Sequence, residues 1–135
     1  MIKYDEKNLE KITLVICSYN RHEYLKRTIR YWSNKKIKLV IIDGSDQKLK
    51  DPYLNANNIK YIYEKKSFYE RLLSSINYIE TEFMMLGCDD EFYLPSSLIA
   101  CVNFLLNEPS FSSCGGRALG FFSNKNNLYG IEHYP

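Results

Sequence analysis

Asp89, Asp90 and Glu91 stand in a row directly after the apolar run Phe83-Met84-Met85-Leu86. Such a run predicts a buried strand, which leaves the acids at its C-terminal tip. Clustered carboxylates repel one another unless a cation or hydrogen-bond donors sit among them. A hard divalent ion with phosphate oxygens on its other faces is the simplest occupant. A solvated turn, or charge at a helix N-terminus, is the plainer reading of the same acids. Two more polar segments follow apolar runs in the same way. They are Ser18-Tyr19-Asn20-Arg21 and Asp43-Gly44-Ser45. Ligands of open α/β sheets bind in the crevice at the carboxyl ends of the strands. Three polar strand ends on one edge therefore predict a binding crevice. Asp43 can accept hydrogen bonds from a base or ribose, or serve as the turn residue before Gly44. Arg71 can pair with phosphate or carboxylate, or lie solvated on its helix. His22 and His133 fall into no partner pattern.

The elements that must position these residues are legible as alternating periods. Ile12-Thr13-Leu14-Val15-Ile16-Cys17 is β-branched and apolar, hence a buried strand. Asn20 with Glu23 fits a capping box that opens a helix, and Leu25, Ile29 and Trp32 give it an apolar stripe. Residues 37–42 form a second strand, and Ile59-Lys60-Tyr61-Ile62-Tyr63 a third. Between them residues 48–58 are ambiguous and broken by Pro52. Residues 67–78 read as a helix with Phe68, Leu72 and Ile76 on one stripe, widened by Leu73 and Ile79. Residues 82–87 are the fourth strand. Pro95 suits the first turn of the next helix, which buries Leu98, Val102, Leu105 and Leu106 and ends at Glu108-Pro109. Residues 112–122 read as a strand bent at Gly115-Gly116. The order β-α-β-(α)-β-α-β-α-β predicts an α/β fold, a Rossmann-like, doubly wound, mostly parallel sheet with both faces covered.

With 135 residues, 45% of them hydrophobic and 25% charged, the chain suffices for one folded domain. A formal net charge of +2, with lysines and arginines scattered, speaks against nucleic acid as a partner. It leaves peripheral contact with an anionic membrane surface open. The one basic cluster, Lys35-Lys36-Ile37-Lys38, reads as a solvated turn. Twelve tyrosines exceed the needs of a core, so some should line a cleft. Cys17, Cys88, Cys101 and Cys114 lack the C-x-x-C spacing of zinc or redox sites. Cys17 and Cys88 are expected as small buried thiols. The charged residues 1–11 do not read as a signal peptide, and no apolar stretch reaches membrane-span length. The expected setting is the cytoplasm, with the inner membrane face open. No G-x-x-x-x-G-K-[ST] occurs, which excludes a P-loop NTPase, and no G-x-G-x-x-G follows the first strand.

The chain resembles the nucleotide-binding half of inverting family 2 glycosyltransferases of GT-A fold, the type that builds bacterial capsules and cell-surface polysaccharides. The resemblance rests on three motifs between residues 12 and 106. Thr13 to Arg21 is similar to the strand that leads into the family's P-T-Y-N-R signature, with Cys17 in place of proline. Val40-Ile41-Ile42-Asp43-Gly44-Ser45 is similar to V-D-D-G-S, with Ile42 in place of the first aspartate. Residues 83–95 resemble the acidic D-x-D region, with Gly87 at a position that is often acidic. Arg71, 18 positions before Asp89, falls where the family's helix carries a nucleotide-contacting arginine. The resemblance implies a UDP-sugar or similar nucleotide-diphosphate sugar as donor, a glycan acceptor, and Mn²⁺ or Mg²⁺. It implies Ser18, Tyr19, Asn20, Arg21, Asp43, Arg71 and Asp89 around the donor, Tyr19 and Asp43 on the base, and Asp89 and Asp90 at the metal, Asp90 foremost. The family's catalytic base is an acid of its second half. Here Glu132 is the only acid past Gly116, so the chain reads as a single domain, a fragment or a natural truncation. The alternative is a sugar-nucleotide-binding or assembly module without turnover. A metal-dependent phosphoryl or nucleotidyl transferase shares the acidic strand tip but lacks the lysine or glycine loop expected for phosphates.

Overall fold

The computed structural model describes residues 6–123 and 128–134, with side chains from residue 7 to 120. Four strands form one all-parallel sheet: β1 (Ile12–Ser18), β2 (Lys38–Asp43), β3 (Ile59–Tyr63) and β4 (Phe83–Gly87). Their spatial order is β3-β2-β1-β4. The chain therefore winds outward from β1 to β3, then crosses to the other side of β1 to lay down β4. The point where direction reverses lies between β1 and β4, and open α/β sheets bind ligands outside the carboxyl ends at such a point. The register sets Ser18 beside Asp43 and Ile16 beside Gly87. This is a Rossmann-like α/β fold with three α-helices.

The helices divide between the two faces. α1 (His22–Trp32) and α3 (Pro95–Asn107) cover one face, where Leu14, Ile16, Leu39 and Ile41 meet Leu25, Ile29, Trp32, Ile99 and Val102. The central strands are apolar on both sides because both sides are covered. On the other face Val15, Val40 and Ile42 form a smaller cluster with Ile62, Tyr78 and Ile79. This second face lies under α2 (Phe68–Ser75) and its short 3₁₀ continuation Ile76–Tyr78. The ambiguous segment is only a turn of 3₁₀ helix, Pro52–Asn55, capped by Asp51.

Several expectations are corrected. The capping box at Asn20 is absent: Arg21 occupies the N-cap without a side-chain bond. A capping box does form at α2, between Ser67 and Glu70. The expected apolar stripe of α2 faces outward, with Phe68, Leu73 and Ile76 exposed and Leu72 half-buried. Its buried residues are Arg71 and Ser75. On α3 the buried pair is Ile99 and Val102, while Leu106 is exposed. β4 is an edge strand of alternating exposure, with Met84 and Leu86 open on one face. Cys88 is exposed and Cys17 only half-buried. The last expected strand begins later, as β5 (Ala118–Ser123), and pairs antiparallel with β6 (Leu128–Tyr134) in a separate two-stranded sheet. A run of apolar residues cannot reveal whether a neighbouring strand lies beside it, and that neighbour decides burial. The side chains of Phe121, Phe122, Glu132 and His133, and the expectations placed on residues 1–5, lie outside the described residues. Among the described residues no helix is long and apolar enough to cross a membrane.

The burial contrast between β1 and β4 can be measured. Ile16→Ala, at a position with no exposed surface, should cost about 2–5 kcal/mol in urea unfolding. Met84→Ala, about half exposed, should cost under about 1 kcal/mol. Equal losses at the two positions would contradict the edge placement of β4.

Candidate functional site

The three polar strand ends converge on the carboxyl edge of the sheet and are laced together. After β1 the backbone turns sharply at Asn20, whose φ is 53°. Asparagine tolerates this left-handed conformation better than most residues. The turn aims the Asn20 amide at the loop after β2. Its Nδ2 donates to Asp46 Oδ2 at 2.8 Å, and its Oδ1 accepts from the Asp46 N–H at 2.9 Å. The Asn20 N–H donates to Ser45 Oγ at 2.8 Å. Asn20 is thus a bridge between two loops, which is why it is not free to cap α1.

Asp43 closes β2 and is fully buried. Its carboxylate accepts from the Ser45 N–H at 2.9 Å, the Ser45 hydroxyl, and the Tyr61 hydroxyl at 2.7 Å. His22 Nε2 lies 3.2 Å from Oδ2. A carboxylate only accepts, so this contact places the proton on Nε2. Burial pushes the Asp43 carboxyl up, but the Ser45 and Tyr61 hydroxyls, the Ser45 N–H and His22 outweigh it, and the net direction is down. Burial, then the bond to Asp43, raises the Tyr61 hydroxyl strongly. His22 is the site residue that sequence reasoning missed. No spacing pattern links it to Asp43, because they lie 21 positions apart on different elements.

Among the described residues Arg71 is the most buried lysine or arginine, 4% exposed. Its Nη1 donates to the Ser18 carbonyl at 2.5 Å and the Ile42 carbonyl at 3.2 Å, and Nε to the Lys66 carbonyl at 3.1 Å. Among the described residues its Nη2 has no hydrogen bond and the guanidinium no ion pair. The solvated alternative is thereby corrected. The guanidinium lies flat against Gly44, where an added Cβ would fall 2.7 Å from its Cζ and Nε. Glycine is required here for close approach, not for a turn.

On the β4 side, Asp89 is buried and Asp90 is 41% exposed at its side chain. Asp89 Oδ2 accepts from the Ser18 hydroxyl at 2.7 Å, and its carbonyl from the Thr28 hydroxyl at 2.7 Å. Arg21 spans the two acids, with Nε 3.3 Å from Asp89 Oδ1 and Nη2 2.5 Å from Asp90 Oδ2. The bond from Arg21 holds the Asp90 carboxyl below its ordinary value. Arg21 also stacks on the Tyr24 ring at 4.6 Å. Glu91 turns away to the Tyr93 hydroxyl. A Cβ at Gly87 would lie 2.7 Å from Leu14 Cδ1 and 3.0 Å from Tyr93 Cε2, so an acid there would require Leu14 and Tyr93 to shift.

The structure therefore brings Ser18, Asn20, Arg21, Asp43, Arg71, Asp89 and Asp90 to one edge. Tyr19, more than half exposed, stands on the same loop. A depression of about 510 Å³ opens beside Asn20, Arg21, His22, Tyr24 and Asp46. Among the described residues no group of three or more metal-binding side chains is assembled. Magnesium, however, commonly takes one or two carboxylates and completes its shell with waters and phosphates. Asp90, accessible and low in pKa, fits that single-carboxylate role if Arg21 releases it. Asp89, held by Ser18 and Arg21, fits it less well. Neither protein-family models nor curated proteins match this chain.

Two predictions test the lacing. Gly44→Ala should destabilise by about 1–3 kcal/mol, because the methyl group displaces the guanidinium. In an Arg71→Ala background the same substitution should cost far less, a coupling read from a double-mutant cycle. Asp43 supplies stability that is complete above its unfolded pKa of about 3.9 and lost as pH falls through its lower folded pKa. Asp43→Asn should therefore flatten the acid limb of the stability–pH curve below about pH 4, as measured by chemical denaturation.

Proposed function

We propose that this chain binds a nucleotide-diphosphate sugar, UDP-sugar first, as the donor domain of a glycosyltransferase that acts on a polysaccharide or other glycan acceptor. The observation that carries the proposal is Arg71. Burying a guanidinium without a carboxylate partner is costly. Here that cost falls at the strand-end crevice, where Ser18, Asp43 and Asp89 also converge. A cation held so, with one nitrogen left without a protein partner among the described residues, suits an anion that is not part of the chain. The order of the three strand-end motifs, read in the sequence as glycosyltransferase-like, supports a diphosphate as that anion.

In this reading each side chain has a defined task. Arg71, pinned by three carbonyls, offers fixed positive charge to the phosphates. Tyr19 offers an exposed ring on which a base can stack. The Asp43 carboxylate orients the His22 ring through Nε2. Arg21 exchanges its bonds to Asp89 and Asp90 for bonds to phosphate oxygens, which frees Asp90 for a divalent cation. Mn²⁺ or Mg²⁺, when bound, offsets the negative charge that develops on the departing diphosphate.

Ligand-induced stabilisation tests the reading. UDP with Mn²⁺ at a hundredfold excess over Kd should stabilise the fold by about 2.7 kcal/mol, seen as a higher Tm. Asp90→Ala should remove most of that shift while leaving the Tm without ligand within a few degrees. A Tm that stays put with every nucleoside diphosphate tried would overturn it.

A further inference from the structure

The chain reverses direction after α3 and runs back along it. Glu108 closes the helix with its N–H on the Phe104 carbonyl at 2.9 Å, and the Phe111 N–H reaches the Glu108 carbonyl at 3.0 Å. The rings of Phe104 and Phe111 then meet with centroids 5.2 Å apart. Three residues further along each limb stand Cys101, on the helix, and Cys114, on the returning segment. The Cys114 thiol is the neighbour that, after burial, acts on the Cys101 thiol. The packed rings and the bonds of the reversal bring the two limbs that carry these cysteines together. Both thiols are reduced, with Cys101 half-buried and Cys114 exposed. Residues 106–119 are exposed throughout.

We propose that Cys101 and Cys114 form a dithiol–disulfide site that takes a low-molecular-weight disulfide as its oxidant and, once closed, clamps the returning segment onto α3. The inference does not depend on the donor-binding reading. Cys114 is the entry point because it is exposed and its partner is half-buried. As a thiolate it attacks one sulfur of the small disulfide, forms a mixed disulfide and expels one small thiolate. The Cys101 thiol then gives up its proton to solvent, and its sulfur attacks the Cys114 sulfur. The second small thiolate leaves. Two protein thiols are oxidised to one disulfide and the small disulfide is reduced to two thiols, so the two electrons balance. Burial, and then the neighbouring Cys114, raise the Cys101 thiol, which agrees with its acting second.

The closed form ties down the segment immediately before β5, which begins at Ala118. The clip therefore sets where the β5–β6 hairpin leaves α3. It also removes conformational freedom from the unfolded chain. For a loop of this size the expected gain in Tm is about 5–10 °C.

The test is to expose the reduced, full-length protein to glutathione disulfide and map the products by mass spectrometry without reduction. The expected product is a monomer lighter by two hydrogens, with Cys101 linked to Cys114, and a higher Tm that dithiothreitol reverses. A Cys17→Ser/Cys88→Ser double variant should give the same linkage. Cys101→Ser should stop at a stable glutathione adduct on Cys114. Stable glutathione adducts on the wild-type protein without ring closure would overturn the proposal. So would linkages through Cys17 or Cys88, or between chains, at equal or greater yield. The wild-type map decides the matter even if the serine variant fails to fold.

Discussion

A single buried cation organises the carboxyl edge of this sheet. The Arg71 guanidinium bonds the Ser18 carbonyl that ends β1, the Ile42 carbonyl one residue before the end of β2, and the carbonyl of Lys66 ahead of α2. The Ser18 carbonyl also accepts from the Gly44 N–H at 2.9 Å, and its second lone pair takes the guanidinium. Arg71 supplies donors to two strands and a loop at once. The demand propagates outward. Gly44 must lack a side chain so that the guanidinium can lie against it. α2 must turn Arg71 and Ser75 inward, which leaves Phe68, Leu73 and Ile76 outside. The inner face of α2 carries the hydrogen-bonding Arg71 and Ser75, and its apolar residues lie outside.

Arg21 performs the complementary task at the other wall. It neutralises Asp89 and Asp90 from the exposed side and rests on Tyr24. The two arginines differ in what a ligand can do to them. Arg71 is held by neutral carbonyls and keeps its full charge. Arg21 is already paired and must exchange partners. In the proposed reading an anion would meet Arg71 on the β1–β2 side, and a cation would reach Asp90 on the β4 side only after Arg21 changes partners. Asn20, Ser45 and Asp46 brace the loops between, so the geometry is built in before any ligand arrives.

Much of this was legible from local pattern. Apolar β-branched runs mark β1 and β2, alternation marks β3, and the i, i+4, i+7 stripe of Leu25, Ile29 and Trp32 marks the inner face of α1, because periodicity is a local property. The site residues could be gathered because they terminate those runs. Their partners could not. His22 looked idle, Arg71 looked open to solvent, and Asn20 looked like a cap. Each finds its partner on another element, 21 or more positions away in the cases of Ser18, Asp43 and Asp46. A capping box needs four consecutive residues. A bridge from Asn20 to Asp46 needs the sheet to have formed first.

The sequence by itself determined the alternation of strands and helices and the polar character of three strand ends. Hydrophobic period and chain punctuation act over a few residues, and the handedness of crossovers does the rest. Only the tertiary structure decided that β4 is an edge, that α2 turns its charge inward, and that Cys101 faces Cys114. Burial depends on what lies alongside, and strand order and chain reversal decide that. The strand-end acids and arginines were written in the chain as types. Which acid holds which cation was settled by the register of β1 against β2 and β4.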